Sequence, residues 1–357
     1  LYLYVRKEAV LSSQIEGTQS SLSDLLLFEL SEIPGVPLDD VREVSNYVAA
    51  LTHGIDRLKN GFPLSCRLIR EMHEILLCSG RGSEKQPGEF RKSQNWIGGT
   101  RPGNAVFVPP PPEMIVECMS ELEKFLNNQT DDIGVIEKAA LAHAQFETIH
   151  PFLDGNGRIG RLLITLLLYH EGVLVLPLLY ISLYFKTYRS LYYDHLKHIR
   201  SNGDWESWIL FFAEAVTHTA EQCSQTAKSI LSLIAEDQEK ISSLGRIAGS
   251  ATRVFHEVTK RPLVDMSYLV HVTGLVPNTV LKALTALVSI SVMKEITGKN
   301  RKRVYAYSRY VRSISEGAEP LGSFIHLLRR RWFFRSCEKL KLTVVPHSDI
   351  QCTSPVA

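Results

Sequence analysis

Apolar residues recur at roughly helical spacing along most of the chain. The spacing predicts helices over residues 1–12, 19–32, 39–59 and 64–79, with Gly17 as a stop after the first and Pro34 after the second. The pattern then breaks. Residues 80–112 are rich in Gly and Pro, with short extended pieces at Asn95–Ile97 and Ala105–Val108, which predicts a long loop ending in a small β-hairpin or flap. A loop of this length inside a helical domain is usually functional. Helical periodicity returns over 112–128, 133–149, 158–171, 177–200 and 204–222, and a polar helix near 219–245 leads onward. From about 248 the texture changes to alternating short helices and strands.

These elements predict a mainly α chain. An N-terminal helical region spans 1–79, a core with the flap 80–222, a linker helix 223–247, a winged helix-turn-helix 248–312 and a tail 313–357. The stretch after about 320 keeps no clean period and carries no functional assignment. The chain opens without Met inside a helical pattern, so its natural start is expected upstream.

Composition narrows the choice. Of 357 residues, 45% are hydrophobic and 22% charged, enough to bury a sizeable core, and the formal net charge of +2 is too balanced for a chain-wide nucleic-acid or membrane partner. Six scattered cysteines with no CxxC pair argue against a zinc site or a disulfide framework and suit a reducing, cytoplasmic setting. The most apolar stretch, from residue 162, is broken at His170 and Glu171 and again at Pro177, so neither half reaches the roughly 18 residues of a membrane span.

The densest chemistry lies in HPFLDGNGRIGR, residues 150–161. Gly155 and Gly157 let the backbone turn tightly and expose N–H groups at the start of the next helix, where orphan amides and the helix dipole favour phosphate oxygens. Arg158 and Arg161, three residues apart, point the same way and suit two further phosphates. Asp154 is placed to hold a Mg²⁺ that bridges phosphates. His150, at the end of the preceding helix, titrates near neutral pH and can take a proton from an incoming hydroxyl. Together these residues predict transfer of a nucleotidyl or phosphoryl group from a Mg²⁺-nucleotide to a hydroxyl.

The same residues resemble the signature of the Fic domain family, His-Pro-Phe-x-Asp/Glu-Gly-Asn-Gly-Arg-x-x-Arg: His150, Pro151, Phe152, Asp154, Gly155, Asn156, Gly157, Arg158 and Arg161 all fit. The resemblance implies an all-helical Fic-type domain and protein AMPylation, in which AMP passes from ATP to a Ser, Thr or Tyr hydroxyl of a target protein. It implies that His150 is the base and Asp154 the Mg²⁺ ligand, that Asn156 and the glycine amides cradle the α- and β-phosphates, that Phe152 anchors the loop, and that Arg161 holds the γ-phosphate. A phosphorylating branch of the family carries Lys at the position of Gly157, so glycine there favours nucleotidyl transfer. The family's flap clamps the target by main-chain pairing. Here Ile97, Gly98, Gly99 and Thr100 are expected near the nucleotide, the glycines permitting close approach. Tyr192 and Tyr193 resemble a family segment near the adenine.

Ser12, Glu16 and Gly17 resemble the family's inhibitory pattern Ser/Thr-x-x-x-Glu-Gly/Asn. That implies Glu16 pairs with Arg161 and occupies the arginine the γ-phosphate needs. Some members with this glutamate also remove AMP, the carboxylate orienting a hydrolytic water.

Residues 265–307 read as helix, turn at Gly274, helix opening at Pro277, strand, basic turn and strand, with Leu281, Leu284 and Leu287 facing inward. This looks like a winged helix-turn-helix, with a basic wing at 298–303 that seeks phosphate and Asn278, Thr279 and Lys282 as base-reading groups. Winged helices also serve as dimer or protein-docking modules, so a homodimer stays open beside DNA binding. The leading expectation is a cytoplasmic, self-inhibited protein adenylyltransferase using ATP and Mg²⁺. The alternatives are an AMP-removing enzyme acting through Glu16 and a nucleotide-sensing DNA-binding regulator.

Overall fold

A computed structural model describes residues 2–30, 37–128, 133–299 and 301–320. The tail after 320, Pro34 and wing residue Asn300 lie outside the described residues. The helices are α1 (Tyr2–Ile15), α2 (Leu22–Glu29), α3 (Leu38–Lys59), α4 (Cys66–Leu76), α5 (Ile115–Asn127), α6 (Val135–Ile149), α7 (Asn156–His170), α8 (Ser182–Thr187), α9 (Arg189–Asn202), α10 (Trp205–Ser242), α11 (Ala248–Lys260), α12 (Met266–Thr273), α13 (Pro277–Ser289) and α14 (Ser308–Ser315). Three short strands, β1 (Leu263–Asp265), β2 (Lys294–Glu295) and β3 (Val304–Ala306), form an antiparallel sheet in the order β1-β3-β2.

The helix α7 is the axis of the core. Ile159, Leu162, Leu163, Ile164, Leu166, Leu167 and Leu168 bury every side of it, as expected for a helix that is apolar all round. Helices α6, α3 and α4 pack on it, contributing Phe146 and Ile149, Val44, Tyr47 and Leu51, and Met72 and Leu76. Helix α1 lies across α3 and α8 and is buried along nearly its whole length. Its Glu8 accepts from Ser182 N at 3.2 Å and Ser182 Oγ at 2.5 Å. That contact ties down the first residue of α8. Residues 177–181 therefore stay outside the helix expected over 177–200, which also divides at Tyr188 into α8 and α9.

The expected helices over 204–222 and 219–245 are one continuous element, α10. Its change in texture marks a change of surroundings. The first half buries Trp208, Phe211 and Phe212 in the helical core; the second buries Ile230, Leu233, Asp237 and Ile241. Tyr307 donates to Asp237 Oδ2 at 2.7 Å and Arg309 to Asp237 Oδ1 at 3.1 Å, which seats the C-terminal elements on that second half. These elements run α11, β1, α12, a left-handed turn at Gly274, α13, β2, β3 and α14.

The segment after α14 returns to α1. Gln14 Nε2 donates to Ser20 O at 2.8 Å and to Ala318 O at 3.0 Å, and Lys186 Nζ donates to the carbonyls of Gly317 and Glu319. Among the described residues no single helix is long and apolar enough to cross a membrane.

Candidate active site

The site is built where α6 ends and α7 begins. His150 closes α6 in a left-handed conformation with φ 51° and ψ 59°, and Gly155, at φ 78°, precedes the first turn of α7. The first intrahelical bond of α7 runs from Ile159 N to Gly155 O at 3.0 Å, so the amides of Asn156, Gly157 and Arg158 have no helical acceptor. They form the anion-seeking mouth of the loop.

The loop is held from inside and from two other elements. Phe152 is fully buried, its ring stacked on His73 with centroids 3.7 Å apart. His73 Nδ1 accepts from Gly88 N at 2.9 Å, so Nε2 carries the proton and donates to Asp154 O at 3.0 Å. Burial pushes His73 down to about 4, which keeps that neutral tautomer. The side chain of Asn156 exchanges two bonds with the backbone of Phe152, at 2.9 and 2.8 Å. It shapes the loop, while the Asn156 backbone amide remains among those without a helical acceptor.

The two arginines do not share one task. Arg161 donates Nε to Ser12 Oγ at 2.8 Å, and Nη2 to Ser12 O at 3.0 Å and Glu16 Oε1 at 2.6 Å. A Cβ placed on Gly157 would stand 2.3 Å from Glu16 Oε1, so the carboxylate fills the space directly over the loop's glycine. Burial alone would raise the Glu16 carboxyl. Arg161 outweighs it, helped by Arg158 and His150, and holds it below its ordinary value. Arg158 is buried too, but its Nη1 lies 2.7 Å from Glu43 Oε1 and its Nη2 3.6 Å from Asp154 Oδ1. Glu43 on α3 thus pairs, inside the fold, with the guanidinium expected to meet a phosphate.

Asp154 Oδ1 accepts from Gly155 N at 2.6 Å, and its side chain is 36% exposed. Gly82 leaves it room, since a Cβ there would stand 2.6 Å from Oδ2. Among the described residues no group of three or more His, Cys, Asp or Glu gathers around a metal position. A single open carboxylate still fits Mg²⁺ in the mode that ion favours with nucleotides, one or two carboxylates plus substrate phosphates. His150 is 20% exposed. Burial, with Arg200 and Arg91 nearby, pushes it down to about 4.

The flap is an antiparallel bridge between Ile97 and Phe107, closed by Ile97 N to Phe107 O at 2.8 Å and Val106 N to Ile97 O at 2.9 Å. Gly98 and Gly99 both have φ near 70°, and a Cβ on Gly99 would stand 2.3 Å from Asn104 O. The glycines supply the left-handed backbone that the turn itself requires. Thr100 N donates to Asn104 Oδ1 at 3.0 Å. The base of the flap is sewn to the loop: Asn95 Nδ2 donates to Phe152 O at 3.0 Å, Arg91 Nε to His150 O at 3.0 Å and Arg91 N to Pro151 O at 2.9 Å.

The two tyrosines divide. Tyr192 is buried, its hydroxyl 2.9 Å from His143 Nε2 within a cluster that includes Phe185 and Trp208. The residue expected beside the adenine thus packs in the aromatic core. Tyr193 is 41% exposed. Sequence reading also missed Glu43, His73, Arg91, Asn95 and Glu147. The first four come from distant segments. Glu147 stands three residues before His150, a helical spacing that flags it.

The Fic/DOC family model matches residues 63–168, and the Fic/DOC family N-terminal model matches residues 1–56. Protein adenylyltransferase Fic of Drosophila grimshawi is 30% identical over 212 residues, 58% of this chain and 40% of that protein. The Drosophila melanogaster protein of the same name is 29% identical over 212 residues, 58% of this chain and 39% of its own. The chain thus spans about two fifths of these curated relatives. A Fic family protein from Desulfovibrio desulfuricans shares the fold, with a TM-score of 0.55 at 19% identity over 85% of this chain and 86% of that one. Fic-1 from C. elegans aligns with a TM-score of 0.52 at 27% identity over 64% of each chain.

Proposed function

Because the chain belongs to the Fic/DOC family, we propose that it is a self-inhibited protein adenylyltransferase, transferring AMP from ATP to a Ser, Thr or Tyr hydroxyl of a target protein. The target oxygen attacks the α-phosphorus, the bond from that phosphorus to the β-phosphate oxygen breaks, and pyrophosphate leaves. His150 takes the hydroxyl proton. The acceptor-free amides of Asn156, Gly157 and Arg158 receive phosphate oxygens, and preorganised donors of this kind stabilise charge as it develops. Asp154 would hold Mg²⁺, whose contribution is to neutralise and template the phosphates. Arg161, once free, holds the γ-phosphate.

One observation carries the self-inhibited part of this reading: the Glu16 carboxylate, held by Arg161 at 2.6 Å, stands over Gly157 where phosphate oxygens need to be. ATP then binds short of the in-line geometry that transfer requires. The test is transfer of label from α-³²P-ATP to protein in a lysate and to the chain itself. Glu16→Gly should label strongly, the parent weakly and His150→Ala not at all. Equal labelling by Glu16→Gly and the parent would remove the inhibition.

A second activity is favoured by the exposure of Glu16, whose side chain is 30% open and can meet water. Removal of AMP from a pre-labelled protein by the parent, lost in Glu16→Gly, is its signature. The C-terminal elements suit a winged helix: Arg301, Lys302 and Arg303 are exposed on the hairpin and share a cleft with Pro277 and Leu281 of α13, and Asn278 and Lys282 on α13 are exposed too. DNA retardation that weakens steeply with salt would support nucleic-acid binding there.

A further inference from the structure

We infer that Glu147 is a positioning residue for His150: its carboxylate backs the imidazole, fixes the proton on Nδ1, and counters the charge the ring gains when its other nitrogen takes the target's hydroxyl proton. The inference deepens the adenylyl-transfer reading and rests on it for the identity of the reaction.

The two residues stand at i and i+3 at the end of α6, on one face. Glu147 Oε2 lies 3.9 Å from His150 Nδ1. Glu147 is 6% exposed, and its Oε1 is buried with no hydrogen-bond partner. His150 Nδ1 is also buried and without a partner. Buried polar atoms of this kind are costly unless they find each other or serve a reaction. Here the unpartnered imidazole nitrogen, able to carry a proton, stands 3.9 Å from Oε2 of the carboxylate whose other oxygen is unpartnered, beyond a direct hydrogen bond but within reach of the charge.

The chain makes room for this carboxylate. A Cβ on Gly160 would stand 2.6 Å from Glu147 Oε1 and 3.2 Å from the His143 ring, so any larger residue on α7 would push into Glu147. The Glu147 carbonyl, which receives Arg200 Nη2 at 3.0 Å, also faces the His150 ring and is a second acceptor for its proton.

The charges around the pair explain why His150 needs it. Burial, Arg200 and Arg91 disfavour an imidazolium and hold His150 at about 4, with the Glu147 backbone and Glu16 opposing them. Burial likewise raises Glu147 to about 7, with Glu16 adding to it and Arg161 and Arg200 opposing. His143 and the hydroxyls of Tyr192 and Tyr193 also face the Glu147 carboxylate. A histidine in this field is a weak base by itself. Ionised Glu147 adds the opposite charge that makes protonation of the far nitrogen favourable. The proton moves from the target oxygen to Nε2, while the Nδ1 proton stays shared with Glu147, so no net proton passes to the carboxylate.

The test uses the Glu16→Gly protein as parent, compared with Glu147→Gln and Glu147→Asp in that background. Three readouts are taken: kcat and KM for ATP across pH, the His150 ring titration by NMR, and the ring tautomer by ¹⁵N shifts. Glu147→Gln should lower kcat roughly ten- to a hundredfold, leave KM for ATP within about twofold, and move both the acid limb and the ring titration down by about one pH unit. Glu147→Asp should recover part of each. A kcat loss with an unmoved ring titration means a merely structural role and overturns the inference, as does a Glu147→Gln protein with unchanged kcat. Should the variants fail to fold, the tautomer in the folded parent decides: an Nδ1 proton at neutral pH supports the inference, an Nε2 proton overturns it. The ring measurements need no transfer. A parent that labels nothing therefore sinks the reaction while the Glu147–His150 pairing is still settled by NMR.

Discussion

Glu16 Oε1 stands 2.6 Å from Arg161 Nη2, and the same oxygen fills the space over Gly157. On the self-inhibited reading, one carboxylate blocks the site twice, by charge at the arginine and by volume at the loop. The two effects separate by substitution. Glu16→Gln keeps the volume and removes the charge, so its AMP incorporation should fall between those of the parent and Glu16→Gly. Activity equal to Glu16→Gly would show that charge alone does the work. In the Glu16→Gly background, Arg161→Ala should raise KM for ATP roughly ten- to a hundredfold, the value of a hydrogen bond to a charged group.

Glu43 pins the buried guanidinium of Arg158 and also receives Arg81 Nη2 at 3.1 Å. Burial, outweighing both arginines, leaves its carboxyl above the ordinary value, so the pair itself adds little net stability. Removing one member is a different matter. Glu43→Ala leaves a buried cation uncompensated and should cost about 3–5 kcal/mol, read as a lower midpoint in urea unfolding. A midpoint change below about 1 kcal/mol would mean that water reaches Arg158.

Phe152 is the largest apolar anchor of the loop. Phe152→Ala removes a fully buried ring stacked on His73 and should cost about 3–5 kcal/mol. Because the loop also carries His150 and Asp154, AMP transfer should fall with it. Thermal melting and labelling of the same preparation check both, and a large loss of stability with full activity would detach the anchor from the site.

His73 makes the stability of the fold depend on acid. Its pKa is depressed from 6.5 to about 4, so the unfolded chain binds a proton in that interval that the native state refuses. The stability it contributes is complete above pH 6.5 and is lost as pH falls through about 4, up to about 3 kcal/mol. Glu8, raised to about 7, works in the opposite sense between pH 4.5 and 7, as does Glu147. The His73 share is isolated by comparison: His73→Gln should lose less stability than the parent between pH 6.5 and 4 in urea titrations. Parallel curves would rule out His73 as the source.

Tyr193 and Tyr192 should separate by assay. Tyr193→Ala, at the exposed position, is expected to raise KM for ATP several-fold with little effect on melting. Tyr192→Phe breaks the bond to His143 and should cost about 1 kcal/mol with KM unchanged. The reverse pattern would exchange their roles.

What the sequence made legible was whatever lies close together along it. The loop from His150 to Arg161 is contiguous, so its turn, its helix start and its charges are readable from spacing. Helix positions also follow from apolar periodicity, because most helices here bury one stripe. Two elements escaped this logic. The α10 helix passes from one packing environment to another without a break, and a polar second half looks like an ending. The start of α8 is fixed by Glu8, 174 residues earlier. The same distance hid Glu43, His73 and Arg91, whose partners no local pattern reveals. Arg158 and Arg161 share a helix face, yet their surroundings give them different partners.

The bond from Gln14 to Ala318 lies two residues before Glu16 and joins the first helix to the end of the C-terminal elements. Thermodynamic linkage acts in both directions across such a joint. On the self-inhibited reading, whatever draws residues 317–319 away should weaken the seat of the helix that immediately precedes Glu16. By the same linkage, a nucleotide that displaced Glu16 would loosen the Gln14–Ala318 contact.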